Sequence, residues 1–114
     1  MKLSLSGIKD RNIWEEHGYN LPQFDPKELA EATEKSPEWV HFGAGNIFRA
    51  YLAAAAQKAI NEGALKTGII AVEGFDPEII EKIYRPHDNL SIYLTMSDDT
   101  VKTIIGSVSD SLIL

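Results

Sequence analysis

Residues 39–51 hold the feature that most constrains the fold. They begin with an apolar strand, Trp39 to Phe42, which runs directly into Gly43-Ala44-Gly45. A helix-forming segment from Asn46 to about Glu62 follows without a gap. A strand, a glycine turn and a helix in this order predict a phosphate-binding turn, because the helix N-terminus presents free N–H groups and the positive end of its dipole to an anion.

The residues of this turn have distinct expected roles. Gly43 allows the tight turn, and Gly45 lacks the Cβ that would keep a pyrophosphate away from the backbone. Asn46 is either the N-cap of the helix or a group that also touches the pyrophosphate, and these two roles are compatible. The third glycine of the usual dinucleotide fingerprint is missing, because Phe48 stands in its place. The cofactor-binding residues predicted from this segment are Gly43, Ala44, Gly45, Asn46, Ile47, Phe48 and Arg49.

Arg49 is placed against local preference. It falls in the first turn of the helix, where a cation is unfavourable against the helix dipole. Such a placement indicates either an anionic ligand or partner nearby or an exposed arginine that pairs with a surface carboxylate.

A second strand completes the unit. Thr67 to Glu73 is a nearly continuous apolar run, as expected of a parallel strand that is buried on both faces, so residues 39–73 predict a β-α-β unit. The carboxylate of Glu73 at its end would accept hydrogen bonds from ribose hydroxyls and favour NAD over NADP, with Asp76 as the second candidate. The alternatives are a solvated strand end for Glu73 and a purely structural glycine turn.

The flanking segments show weaker patterns. Residues 1–38 are expected to form an N-terminal arm and a short helix, with residues 1–24 irregular and the helix starting at Asp25-Pro26, an N-cap followed by proline. Residues 39–114 are expected to form the larger unit. Beyond the β-α-β unit, its predicted elements are a helix from Asp76-Pro77 to about Tyr84, a hairpin of Leu90–Met96 and Thr100–Ile105, and a further strand or an extension of the hairpin over Ser107–Leu114.

Composition excludes several classes of protein. The chain has 114 residues, enough for one domain, and its net charge of −6 argues against binding to nucleic acid or to anionic membranes. It has no cysteine, which excludes disulfides and thiolate zinc sites, and its three histidines share no metal-ligand spacing. No signal sequence or membrane span is recognisable, so a cytoplasmic location is the default expectation.

Val40 to Tyr51 resembles the signature of the polyol-specific long-chain dehydrogenases, the mannitol dehydrogenase and fructuronate reductase family. In that family an apolar strand leads to Gly-x-Gly-Asn-Phe-His-Arg-Ala-His, with a bulky residue where the third glycine would stand. Phe48 and Tyr51 replace its two histidines, and Ser91-Ile92 interrupts its hairpin motif. Three further stretches are similar to family segments in the same order: Leu21–Asp25, His87–Thr95 and Thr103–Val108.

The resemblance implies an α/β fold, namely part of a Rossmann-type dinucleotide-binding domain with a βαβ unit, a β-hairpin and an incomplete sheet. It also implies an NAD-dependent oxidoreductase that moves hydride between nicotinamide and a polyol or ketose sugar acid, with fructuronate or mannonate ahead of mannitol or fructose. The family's catalytic Lys-x-x-x-x-Asn-x-x-His helix has no match here. We therefore expect no catalytic residue, an inactive isolated chain, and a sugar substrate bound through a missing C-terminal domain. The alternative is a non-catalytic nucleotide-binding module, or one that self-associates through exposed sheet edges.

Overall fold

Six β-strands form two three-stranded sheets in the computed structural model, which describes residues 1–114. One sheet has the strand order β2-β3-β6 and the other β1-β5-β4. The strands are β1 (Tyr19–Asn20), β2 (Trp39–Phe42), β3 (Ile69–Glu73), β4 (Ser91–Met96), β5 (Thr100–Ile105) and β6 (Val108–Ile113). The α-helices are α1 (Arg11–Glu16), α2 (Pro26–Lys35), α3 (Ala53–Asn61) and α4 (Pro77–Ile79).

The β2-β3-β6 sheet is parallel throughout and contains the predicted β-α-β unit. Strand β2 pairs with β3 in a register that sets Trp39 opposite Ile69, and β3 pairs in turn with β6. The central strand β3 is almost entirely buried, as its continuous apolar run predicts. Strand β6 is a separate strand of this sheet, so the alternative that it extends the hairpin is wrong.

Both helices that follow the parallel strands contain a π-helical turn. The first, Phe48–Leu52, precedes α3, and Gly63, two residues beyond the end of α3, has a left-handed conformation with φ of 81°. The second, Ile80–Tyr84, follows α4 and continues into a 3-10 turn, Arg85–His87. The π-helical turn ends at Tyr84, where the sequence predicted the end of this helix, and Arg85-Pro86 begins the separate 3-10 turn, because proline is tolerated in the first turn of a new helical segment.

The N-terminal residues are ordered, so the expectation of an irregular arm over residues 1–24 is wrong. A 3-10 turn and α1 lead into β1, which pairs in parallel with β5. The predicted hairpin of β4 and β5 is confirmed and forms the rest of this sheet. Several short elements, each with its own backbone geometry, contribute to one apolar cluster. The apolar residues of this segment therefore follow no single helical or strand spacing in the sequence. The cluster consists of Ile8, Trp14, Leu21, Leu90 and Ile104.

The larger core lies between one face of the parallel sheet and the helices after β2 and β3. Gln57 on α3 joins this core to the hairpin sheet, because its Nε2 donates to the carbonyl oxygen of Ile104 (2.7 Å) and its Oε1 accepts from the N–H of Gly106 (2.6 Å). The predicted α/β class, with a βαβ unit and a hairpin, is confirmed. None of the helices combines the length and apolar character that a bilayer crossing needs. The buried core residues are Ala44, Phe48, Ala53, Ala56, Ile69, Ala71, Ile80, Tyr84, Ile105 and Val108.

Candidate functional site

The two glycines of the turn after β2 are required for different reasons. Gly43 has a φ of 109°, a conformation that residues with a side chain rarely adopt, and its N–H donates to the carbonyl oxygen of Val72 at 2.7 Å. Gly45 has no such backbone requirement, and a Cβ built on it would meet no atom within 4 Å. The fold therefore needs Gly43, whereas the open space at Gly45 leaves room for a ligand to approach the backbone.

The backbone donors at the start of the helix are free. The N–H groups of Gly45, Asn46 and Ile47 donate to no other group of the chain, and no side chain caps this helix. Instead of capping, the side-chain oxygen of Asn46 accepts a hydrogen bond from Nη2 of Arg49. Three unpaired and accessible N–H groups beside an open space fit a phosphate-bearing ligand.

The peptide groups on either side of Ala44 are held from two directions. The N–H of Ala44 donates to Oε1 of Glu73 at 3.0 Å. The carbonyl oxygen of Ala44 accepts from Nη1 of Arg49 at 2.8 Å and from the hydroxyl of Tyr84 at 2.9 Å. The guanidinium of Arg49 lies over the Tyr84 ring, 5.5 Å from its centroid. Arg49 thus stabilises the turn and forms no ion pair with a surface carboxylate.

Glu73 lies beside the glycine turn, but its carboxylate contacts the backbone. Its Oε2 accepts from the N–H groups of Phe75 (3.1 Å) and Asp76 (3.3 Å), in addition to the bond from Ala44 to Oε1. These hydrogen bonds, that of Ala44 foremost, hold the pKa of Glu73 below its ordinary value of 4.5. The side chain is buried, so it is not a solvated strand end. Its predicted contact with ribose hydroxyls stays a prediction.

The bulky residue in place of the third glycine belongs to the core. Phe48 is buried and stacks on His41, with ring centroids 4.6 Å apart and an angle of 13° between the rings. Its neighbour Ile47 is 78% exposed, so the side chains of these two predicted site residues point to opposite environments. Phe48 fills the space between the helix and β2 and supports the turn through packing.

No motif in the sequence pointed directly to Tyr84. It closes the second π-helical turn and lies 40 positions beyond Ala44, whose carbonyl oxygen it contacts. Burial raises the pKa of the Tyr84 hydroxyl above its ordinary value of 10.0, so the hydroxyl keeps its proton and donates it. The only available signal was Arg49, whose unfavourable position on the helix indicated a partner nearby.

Together, the parallel sheet and the open turn at the carboxyl end of β2 define the class of the protein. It is an α/β domain of the Rossmann type, in which the glycine turn connects the first parallel strand to its helix. The turn residues 43–49 and Glu73 lie together at this edge of the sheet, where the N–H of Ala44 donates to Glu73. Asp76 is close by, but it caps the next helix through a bond from the N–H of Glu78 to its Oδ1 at 3.2 Å.

Comparisons with known proteins agree with this class. No family model matches the chain. The D-mannonate oxidoreductase of Thermotoga maritima is 47% identical over 114 residues, which cover 98% of this chain and 21% of that protein. The chain thus spans about a fifth of the length of this relative.

Two solved structures share the fold. Mannitol 2-dehydrogenase of Pseudomonas fluorescens, in a ternary complex with NAD and D-mannitol, is 24% identical with a TM-score of 0.67. A substrate-free D-sorbitol dehydrogenase is 22% identical with the same TM-score of 0.67. Each match covers 84% of this chain and 19% of the solved one. By these matches, the chain resembles the N-terminal part of the polyol-specific long-chain dehydrogenases.

Proposed function

We propose that this chain binds NAD at the turn after β2, as the cofactor-binding part of a polyol or sugar-acid dehydrogenase. The observation that carries the proposal is the set of free N–H groups of Gly45, Asn46 and Ile47 beside the open space at Gly45. These donors would hold the pyrophosphate, while Arg49 contributes a positive charge next to them. The bound nicotinamide would supply or accept the hydride.

The names of the relatives support the reaction class. The relative with 47% identity is a D-mannonate oxidoreductase, so we propose fructuronate or mannonate as the first substrate pair of the whole protein and mannitol or fructose as the second. A carboxylate-bearing substrate needs a cationic group that this chain does not offer beside its turn, apart from Arg49. We therefore place the substrate contacts and the proton transfer outside these residues, with the isolated chain inactive.

Calorimetric titration with NADH and NADPH tests the cofactor proposal. We expect NADH to bind more tightly, because Glu73 and Asp76 put negative charge at the end of β3, where a 2′-phosphate would be repelled. Tighter binding of NADPH would contradict the cofactor preference. Binding of neither dinucleotide would contradict the proposed site.

Exposed apolar residues on the outer face of the parallel sheet support a further proposal, that the chain pairs with a second copy of itself. Val40, Phe42 and Leu112 lie on the face opposite the core and are 49%, 69% and 44% exposed. Strand β2 is also an edge of its sheet, with hydrogen-bonding groups open to a second strand. Sedimentation equilibrium should show a concentration-dependent dimer that Phe42→Lys weakens; a monomer at all concentrations would contradict this.

A cytoplasmic location and the absence of nucleic-acid or membrane partners stay predictions.

A further inference from the structure

We propose that Tyr84 is a positioning residue for the cofactor site, which acts through the peptide group between Ala44 and Gly45. This inference rests on the proposed function, because it concerns how the turn receives a pyrophosphate. Neither the hydroxyl of Tyr84 nor its ring is expected to touch the ligand. Its effect is to fix the direction of one backbone donor.

The planarity of the peptide bond transmits this effect. In a trans peptide the carbonyl oxygen and the following N–H point in opposite directions. The carbonyl oxygen of Ala44 points into the protein, where it accepts from Tyr84 and Arg49. The N–H of Gly45 must therefore point outward, toward the open space beside the turn. If the carbonyl lost its donors, this peptide group could rotate and turn the N–H away from a phosphate.

The burial of Tyr84 explains why its hydroxyl matters. The residue is 2% exposed, and its ring belongs to the main core. A buried hydroxyl costs free energy unless it forms a hydrogen bond, and its hydrogen bond in this structure is the one to Ala44. The hydroxyl therefore has one structural consequence, which is to hold the carbonyl of the glycine turn inward.

Two π-helical turns bring the two donors to the same carbonyl. Arg49 lies in the π-helical turn after β2, and Tyr84 is the last residue of the one after α4. A π-helical turn shifts the side chains that follow it around the helix axis, and such turns are frequent at functional sites. Each of the two side chains that donate to the carbonyl oxygen of Ala44 therefore belongs to a π-helical turn.

The variant Tyr84→Phe tests this inference, with Tyr93→Phe as the matched control. Tyr93 is half-buried, packs against the same core and forms no side-chain hydrogen bond. We expect Tyr84→Phe to weaken binding of ADP-ribose about fivefold, the effect of one lost hydrogen bond, and to leave binding of adenosine unchanged. The control should bind both ligands as the unmodified protein does. Equal ADP-ribose affinity in Tyr84→Phe and the control would overturn the inference.

Two further measurements separate this inference from the proposed function and from a folding defect. In the ligand-free protein, the amide resonance of Gly45 should shift in Tyr84→Phe and stay in place in Tyr93→Phe; an unshifted resonance would overturn the inference even if the dinucleotide binds. Failure of the unmodified protein to bind ADP-ribose would overturn the proposed function instead. If Tyr84→Phe does not fold, Arg49→Lys on the half-exposed side of the turn takes its place, because lysine keeps the positive charge but cannot hold both Ala44 and Asn46. Its readout is the amide resonance of Gly45 in the ligand-free protein, which a direct contact between Arg49 and the ligand would not move. We expect this resonance to shift, and an unshifted resonance would count against the inference.

Discussion

The turns after β2 and after β3 differ in how they treat the first N–H groups of the helices that follow. Both lie at the carboxyl edge of the parallel sheet, and both helices contain a π-helical turn. After β2 no side chain caps the helix, and the N–H groups of residues 45–47 are unpaired. After β3 the N–H groups of Phe75 and Asp76 donate to Glu73, and the carboxylate of Asp76 caps the helix at Glu78.

This difference indicates which of the two helix N-termini has backbone N–H groups available for a ligand. Both helices direct the positive end of their dipole toward the same edge of the sheet. After β3, however, the backbone N–H groups already donate to the protein's own carboxylates. Those carboxylates also repel a second anion. Only the turn after β2 combines free donors with uncovered space. The anion site that we propose therefore lies at this turn, whereas the junction after β3 is satisfied by the protein itself.

The largest expected effect comes from placing a carboxylate at the free turn. Gly45→Asp should abolish NADH binding, a loss of about a hundredfold or more, because the new side chain occupies the ligand space and repels the pyrophosphate. The thermal unfolding midpoint should change little, since a Cβ at this position meets no atom of the protein. Fluorescence titration and thermal unfolding measure the two quantities. Retained NADH binding would show that the pyrophosphate lies elsewhere.

The two glycines of the turn should respond in opposite ways to alanine. Gly43→Ala forces a φ near 109° on a residue with a side chain and should lower the free energy of unfolding by about 1–3 kcal/mol. Gly45→Ala should leave that free energy within about 0.5 kcal/mol and weaken NADH binding. Urea unfolding of both variants checks this prediction. A stability loss at Gly45 equal to that at Gly43 would mean that both glycines serve the fold.

The junction after β3 should contribute to stability and not to binding. Asp76→Ala removes the N-cap of α4 and should lower the free energy of unfolding by about 1 kcal/mol. NADH affinity should stay close to that of the unmodified protein, because none of the free N–H groups is affected. A drop in affinity without a loss of stability would instead give Asp76 the ribose contact.

The smallest effect concerns pH. The pKa of Glu73 is lowered in the folded state, chiefly by the hydrogen bond from Ala44, so its ionised form stabilises the fold. That stabilisation is complete above the unfolded value and is lost as the pH falls through the folded pKa. Glu73→Gln should therefore be less stable than the unmodified protein near neutral pH, and the gap should narrow below pH 4.5. A difference in stability that is constant with pH would mean that ionisation of Glu73 does not stabilise the fold.

Local patterns predicted the parts of the fold that depend on neighbouring residues. The bounds of β2, the N-cap at Asp25 and the hairpin all follow from short-range signals such as strand patterning and turn chemistry. The arm could not be predicted, because β1 has only two residues and its pairing with β5 joins positions 83 apart, as between Tyr19 and Lys102. The candidate site likewise has a part that the sequence predicted and a part that it could not predict. Glu73 was located by its place at a strand end, whereas its backbone partners and Tyr84 depend on tertiary contacts that no spacing reveals.

The central claim is that the free N–H groups after β2 bind the pyrophosphate. The most direct test is a titration of the isotopically labelled protein with NAD, followed through its backbone amide resonances. We expect the amide resonances of Gly45, Asn46 and Ile47 to shift strongly with saturation, and those of Phe75 and Glu78 to shift weakly. Larger shifts at the junction after β3, or no saturable shift at residues 45–47, would contradict the account.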